Sequence, residues 1–132
     1  IHGRRLGLDS NEYLGGPKGF IQPIETISST AASQTLAPNG ISLITATNAS
    51  TNAALAMTLT APVPGIFKTI SQLSTSTAGY AVALASGVFV TSASSALTTF
   101  TFTASNQHLH LLGQSTGAFM VLSQQSTMLV GS

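Results

Sequence analysis

The sequence predicts an all-β chain folded as a β-sandwich, jelly-roll-like, with an extended N-terminal arm. Three observations carry that expectation. Short runs rich in Val, Ile, Thr and Phe recur after residue 38, with turn signals about every 8–12 residues. No window holds a convincing 3.6-residue apolar period, and no internal repeat occurs at a solenoid or propeller spacing. Charge is split along the chain: Arg4, Arg5, Asp9, Glu12, Lys18 and Glu25 precede residue 26, and only Lys68 follows. These features divide the chain into an arm and linker over 1–37 and a sandwich over 38–132.

Within the arm, Arg5-Leu6-Gly7-Leu8 and Glu12-Tyr13-Leu14 flank Asp9-Ser10-Asn11, a turn signal that makes a short hairpin plausible. Gly15-Gly16-Pro17-Lys18-Gly19 breaks the chain. Phe20 and Ile21 continue toward Pro23, which restricts the segment to an edge or extended path. Residues 28–39 form a polar, linker-like stretch closed by a Pro38-Asn39-Gly40 turn.

The sandwich then reads as successive strands. Ile41 to Thr47 is β-branched and roughly alternating, and Leu55 to Thr60 alternates cleanly. Pro62-Val63-Pro64-Gly65 turns the chain into Ile66 to Leu73. Tyr80 to Leu84 and Val88 to Thr91 flank Ala85-Ser86-Gly87. Leu97 to Thr103 is the strongest strand, with Phe100 and Phe102 on one face. His108 to Leu112, Ala118 to Ser123 and Thr127 to Val130 complete the series. The expected core is Leu43, Leu59, Ile70, Val82, Leu84, Phe100, Phe102, Leu111, Phe119 and Val121.

The 132 residues suit one domain, and the absence of Cys removes disulfides, thiolate metal sites and cysteine nucleophiles. Only 5% of residues are charged, against roughly 25% in an ordinary soluble domain. Ser and Thr supply polarity instead, a surface that suits permanent packing against neighbours. A net charge of +1 gives no footprint for nucleic acid and no polybasic patch for membranes. No apolar run approaches the ~18–20 residues of a helical membrane span.

An enzyme is not expected. Hydrolytic sites need a positioned base and nucleophile, usually with a carboxylate, and no Asp or Glu follows Glu25. Nucleophile-elbow, P-loop and dinucleotide motifs are missing, and Gly113-Gln114-Ser115-Thr116-Gly117 is a turn between strands. No cofactor and no metal are expected. His108-Leu109-His110 places two imidazoles on one strand face, short of the three or four ligands a metal site uses. A threefold axis could supply the rest; otherwise the pair is an inter-subunit or solvated face opposite Leu109 and Leu111.

Three segments resemble a family of small tailed-phage structural proteins, the head decoration or cement proteins. Gly3-Arg4-Arg5-Leu6-Gly7-Leu8-Asp9-Ser10-Asn11-Glu12-Tyr13-Leu14-Gly15-Gly16-Pro17-Lys18-Gly19 resembles their N-terminal arm. Leu59 to Thr77 looks like their central hairpin, and Leu109 to Phe119 like their C-terminal hairpin. The resemblance implies a homotrimeric sandwich on the outer surface of a bacteriophage capsid, partnered with itself and the major capsid protein. It places the grip in the arm, where Arg4, Arg5, Leu6, Leu8, Glu12, Tyr13, Leu14, Phe20 and Ile21 combine apolar anchors with charge. The alternative is a tail-fibre or baseplate β-domain that binds host-surface glycan. The lack of Trp, with Tyr13 and Tyr80 the only tyrosines, weighs against such an aromatic platform.

Overall fold

A computed structural model describes residues 22–28, 34–45, 55–73, 80–85, 87–92, 97–124 and 129–131. These residues contain no helix and form two mixed β-sheets closing on one core. The strands are β1 (Ile24–Ile27), β2 (Gln34–Leu36), β3 (Gly40–Ile44), β4 (Leu55–Leu59), β5 (Phe67–Gln72) and β6 (Tyr80–Leu84). They continue as β7 (Val88–Val90), β8 (Thr99–Phe102), β9 (His108–Ser115), β10 (Ala118–Gln124) and β11 (Leu129–Gly131). The first sheet runs β1-β3-β5-β9-β10-β7, and the second runs β11-β8-β6-β4-β2. The all-β sandwich expected from the sequence is thus present.

Its winding differs from the antiparallel Greek keys of a jelly roll. From β1 to β6 the chain changes sheet at every step. β1, β3 and β5 pair in parallel in the first sheet, and β2, β4 and β6 do so in the second. The result is three flattened coils, closed on one side by antiparallel β8 and β9. Register partners Ile24, Ile41 and Thr69 are separated by unequal lengths of chain, so no fixed repeat marks the coils in the sequence. The same alternation bears on the expected central hairpin over Leu59 to Thr77: its described residues hold the last residue of β4 and all of β5, which belong to different sheets, and residues 74–77 lie outside the described residues. β9 and β10 do form an antiparallel hairpin.

The sandwich also begins earlier than residue 38. β1 and β2 belong to its sheets, Ile41 N–H donates to Pro23 O at 2.9 Å, and Leu36 is fully buried. The polar composition of 28–39 conceals β2 because a three-residue edge strand needs only one inward apolar side chain. Gly40 makes the entry to β3 possible. Its φ is +72°, and a Cβ there would lie 2.3 Å from Pro23 O. Residues 1–21, which hold the expected arm, lie outside the described residues.

The core joins the sheets through Leu36, Ile44, Met57, Leu59, Ile70, Tyr80, Val82, Phe89, Phe100, Phe102, Leu109, Leu111 and Phe119. Phe89 is its aromatic hinge: its ring meets Phe100 edge-on at 4.9 Å and stacks on Phe119 at 6.3 Å. Leu84 and Val121 pack against this cluster while partly exposed. Leu43 does not belong to the core. Gly40, Ser42 and Ile44 are the buried positions of β3, so its pleat turns Leu43 outward. Gln107 fixes the β8–β9 turn, where its side-chain oxygen accepts from the Thr103 and Ala104 amides at 2.6 and 3.1 Å.

Candidate functional site

The charged residues define what the surface is not. Glu25 and Lys68 are the only formally charged side chains among the described residues, and both turn inward. β1 carries Glu25, β3 carries Ser42 directly beside it, and β5 carries Lys68 beside Gly40. Lys68 Nζ lies 3.3 Å from Glu25 Oε2 and donates to Ser42 Oγ at 2.5 Å and to Asn39 O at 3.2 Å. Ser42 Oγ in turn donates to Glu25 Oε2, which also accepts from the Ala37 amide at 2.9 Å. The lysine side chain is fully buried, whereas that of Glu25 keeps 32% of its exposure.

Their protonation follows from this geometry. Burial alone would raise the Glu25 pKa, but hydrogen bonds from Ser42 and Ala37 and the Lys68 charge together hold it below the ordinary carboxylate value. Burial lowers the Lys68 pKa, against the opposing pull of Glu25. The ion pair ties the edge strand β1 across β3 to β5. Its chemistry is structural, because Ser42 Oγ is already shared between lysine and carboxylate in a buried position.

With Lys68 inside, the opposite face of β5 turns outward, and the pleat aligns three rows across the first sheet. Phe67, Leu112, Met120 and Val90 are successive register neighbours on β5, β9, β10 and β7. Ile24, Ile41, Thr69 and His110 form the next row, and Thr26, Leu43, Ser71 and His108 the third. Ile24, Phe67 and Met120 are 62%, 52% and 36% exposed. The result is a broad outer face, apolar with hydroxyls and imidazoles and without a formal charge. Exposed apolar residues on an uncharged face of this kind suit an interaction surface.

His108 and His110 lie on this face, with Leu109 and Leu111 buried on the other. Their ring centroids are 5.3 Å apart, and His110 Nδ1 is 3.0 Å from Thr69 Oγ1. Among the described residues, no group of three or more His, Cys, Asp or Glu side chains is gathered as a metal site. No helix of the described residues is long and apolar enough to cross a membrane. The proposed arm contacts Arg4, Arg5, Leu6, Leu8, Glu12, Tyr13, Leu14, Phe20 and Ile21 lie outside the described residues.

Sequence reasoning found the histidines but missed Ile24, Phe67, Leu112 and Met120 as surface residues. The expected core position of Ile70 already implied the outward turn of Phe67: Lys68 shares the Ile70 face of β5, and Phe67 lies on the opposite one. Comparison of the chain with protein families, curated proteins and solved structures gives no match.

Proposed function

We propose that this chain is a non-catalytic structural protein that assembles with copies of itself and decorates the outer surface of a phage capsid. The observation that carries the assembly reading is the uncharged apolar face of the first sheet, with Phe67, Met120 and Ile24 exposed. No like charge opposes packing of this face against a neighbouring copy, and covering it removes apolar area from water. A homotrimer is the closed form that fits the resemblance to cement proteins; that resemblance also supplies the capsid as partner.

In this reading the sandwich makes the contacts between copies, and the N-terminal residues grip the shell. Arg4, Arg5 and Glu12 would form a charged rim around Leu6, Leu8, Tyr13, Leu14, Phe20 and Ile21. An arm that binds only assembled shell stabilises it by mass action. The test is co-sedimentation with capsids lacking decoration, using the full chain and a variant without residues 1–20. The full chain should pellet with capsids and raise their resistance to heat. The truncated chain should remain folded by circular dichroism and stay in the supernatant. Equal binding by both would refute the arm, and absence of binding by the full chain would refute the capsid assignment.

A further inference from the structure

We infer that His108 and His110 form half of a divalent-metal site, specific for a borderline cation such as zinc, that is completed by the same pair from a second copy of this chain. The inference goes beyond the capsid reading and does not rest on it: it assigns the outer face of the first sheet to a two-fold pair, so its success would leave the contacts of a trimer to another surface.

Three observations converge. First, the two imidazoles project from one face of β9, with ring centroids 5.3 Å apart. Two imidazoles bound tetrahedrally to one zinc through bonds of ~2.0 Å have centroids ~5.2 Å apart. The separation of the rings on the strand is close to that value. Second, Thr69 Oγ1 is 3.0 Å from His110 Nδ1. When Nδ1–H donates to that hydroxyl, the proton sits on Nδ1 and the Nε2 lone pair is left for a metal. Metal-ligating histidines are commonly oriented in this way. Third, one chain supplies two ligands where zinc normally takes four, and no third ligating side chain is gathered with them among the described residues.

The described residues of one protomer supply no further ligand, and the surrounding face favours a second copy as the source. It carries no formal charge to recruit an acidic or basic partner, and exposes Phe67 and Met120 in a row beside the histidines. A second copy offers an apolar, uncharged face of the same kind together with two more imidazoles. A two-fold axis near β9 would bring four nitrogen ligands to one ion and cover both apolar rows. Imidazole donors suit zinc, copper and nickel better than calcium or magnesium.

Zinc titration by calorimetry, paired with sedimentation of the same samples, tests this. The background is the 132-residue chain carrying His2→Ala, so that the remaining histidines are the two on β9. The expected result is one zinc per two chains and a doubling of assembly mass that a chelator reverses. H108A and H110A should each weaken zinc binding at least tenfold while leaving circular dichroism unchanged. Thr69→Val should weaken it about tenfold, as loss of an orienting partner does. Nickel should compete with zinc, and magnesium should not. Zinc binding that survives the H108A/H110A double substitution would overturn the site. One zinc per chain without a change in mass would overturn its sharing between copies.

Discussion

Lys68 holds its ammonium 3.3 Å from the Glu25 carboxylate, and this pair places the only two formal charges of the described residues inside the sandwich. One consequence is energetic and the other is functional. The lysine is fully buried and Glu25 is partly wet, so the two partners are not equivalent. Turning Lys68 inward also forces Phe67 outward and leaves the outer face of the first sheet without charge.

The asymmetry predicts the order of substitution effects. Glu25→Gln strands a buried ammonium and should destabilise the fold by about 3 kcal/mol. Lys68→Met leaves a carboxylate that Ser42, Ala37 and water still satisfy, and should cost only about 1–2 kcal/mol. The double substitution should come within about 1 kcal/mol of the parent, since removing both charges removes both desolvation penalties. Urea denaturation of the four proteins measures this; additive single effects would show that the pair is not coupled.

Acid should weaken the same link. Glu25 has a folded-state pKa below its ordinary value of 4.5, so its contribution is fully present above 4.5. That contribution is lost as pH falls through the lower folded value, because the unfolded chain binds the proton first. Chemical denaturation across this acid range should show stability falling in the parent and falling less steeply in the Glu25→Gln variant.

The aromatic core should be sensitive where the surface row is not. Phe89→Ala removes contacts with Phe100 and Phe119 from a fully buried site and should cost about 3–5 kcal/mol. Leu43→Ala, on the outer face, should cost about 1 kcal/mol or less. Thermal unfolding of the two variants gives the comparison, and similar losses would place Leu43 in a core.

Gly40→Ala tests the entry to β3. The positive φ and the 2.3 Å approach to Pro23 O both penalise a side chain, and a loss of about 2–3 kcal/mol is expected. Hydrogen exchange should show the Ile41 amide, which donates to Pro23 O, losing protection before amides of β9. Uniform loss across both strands would show that β1 is not held separately at this point.

The sequence makes the sandwich legible wherever a strand alternates cleanly. Phe100 and Phe102 on β8, and Leu109 and Leu111 on β9, show inward positions at spacing two, and all four are buried. The winding is not legible, because unequal loops separate parallel partners such as Ile24, Ile41 and Thr69 and leave no repeat. β2 is hidden because Gln34-Thr35-Leu36 carries one core residue. The outer apolar face is hidden for a different reason: its rows join residues far apart in the chain, and only the strand register brings them together. The histidine pair is visible from its i, i+2 spacing, but the Thr69 contact beside it depends on the pairing of β5 with β9.

A reconstruction of phage particles incubated with this protein tests the proposed capsid role most directly. The account predicts copies of the two-sheet domain on the outer capsid surface, grouped in threes, with density continuing from Gln22 onto the neighbouring capsid protein. Density for the domain at the tail tip, or single copies touching neither one another nor the shell, would contradict it.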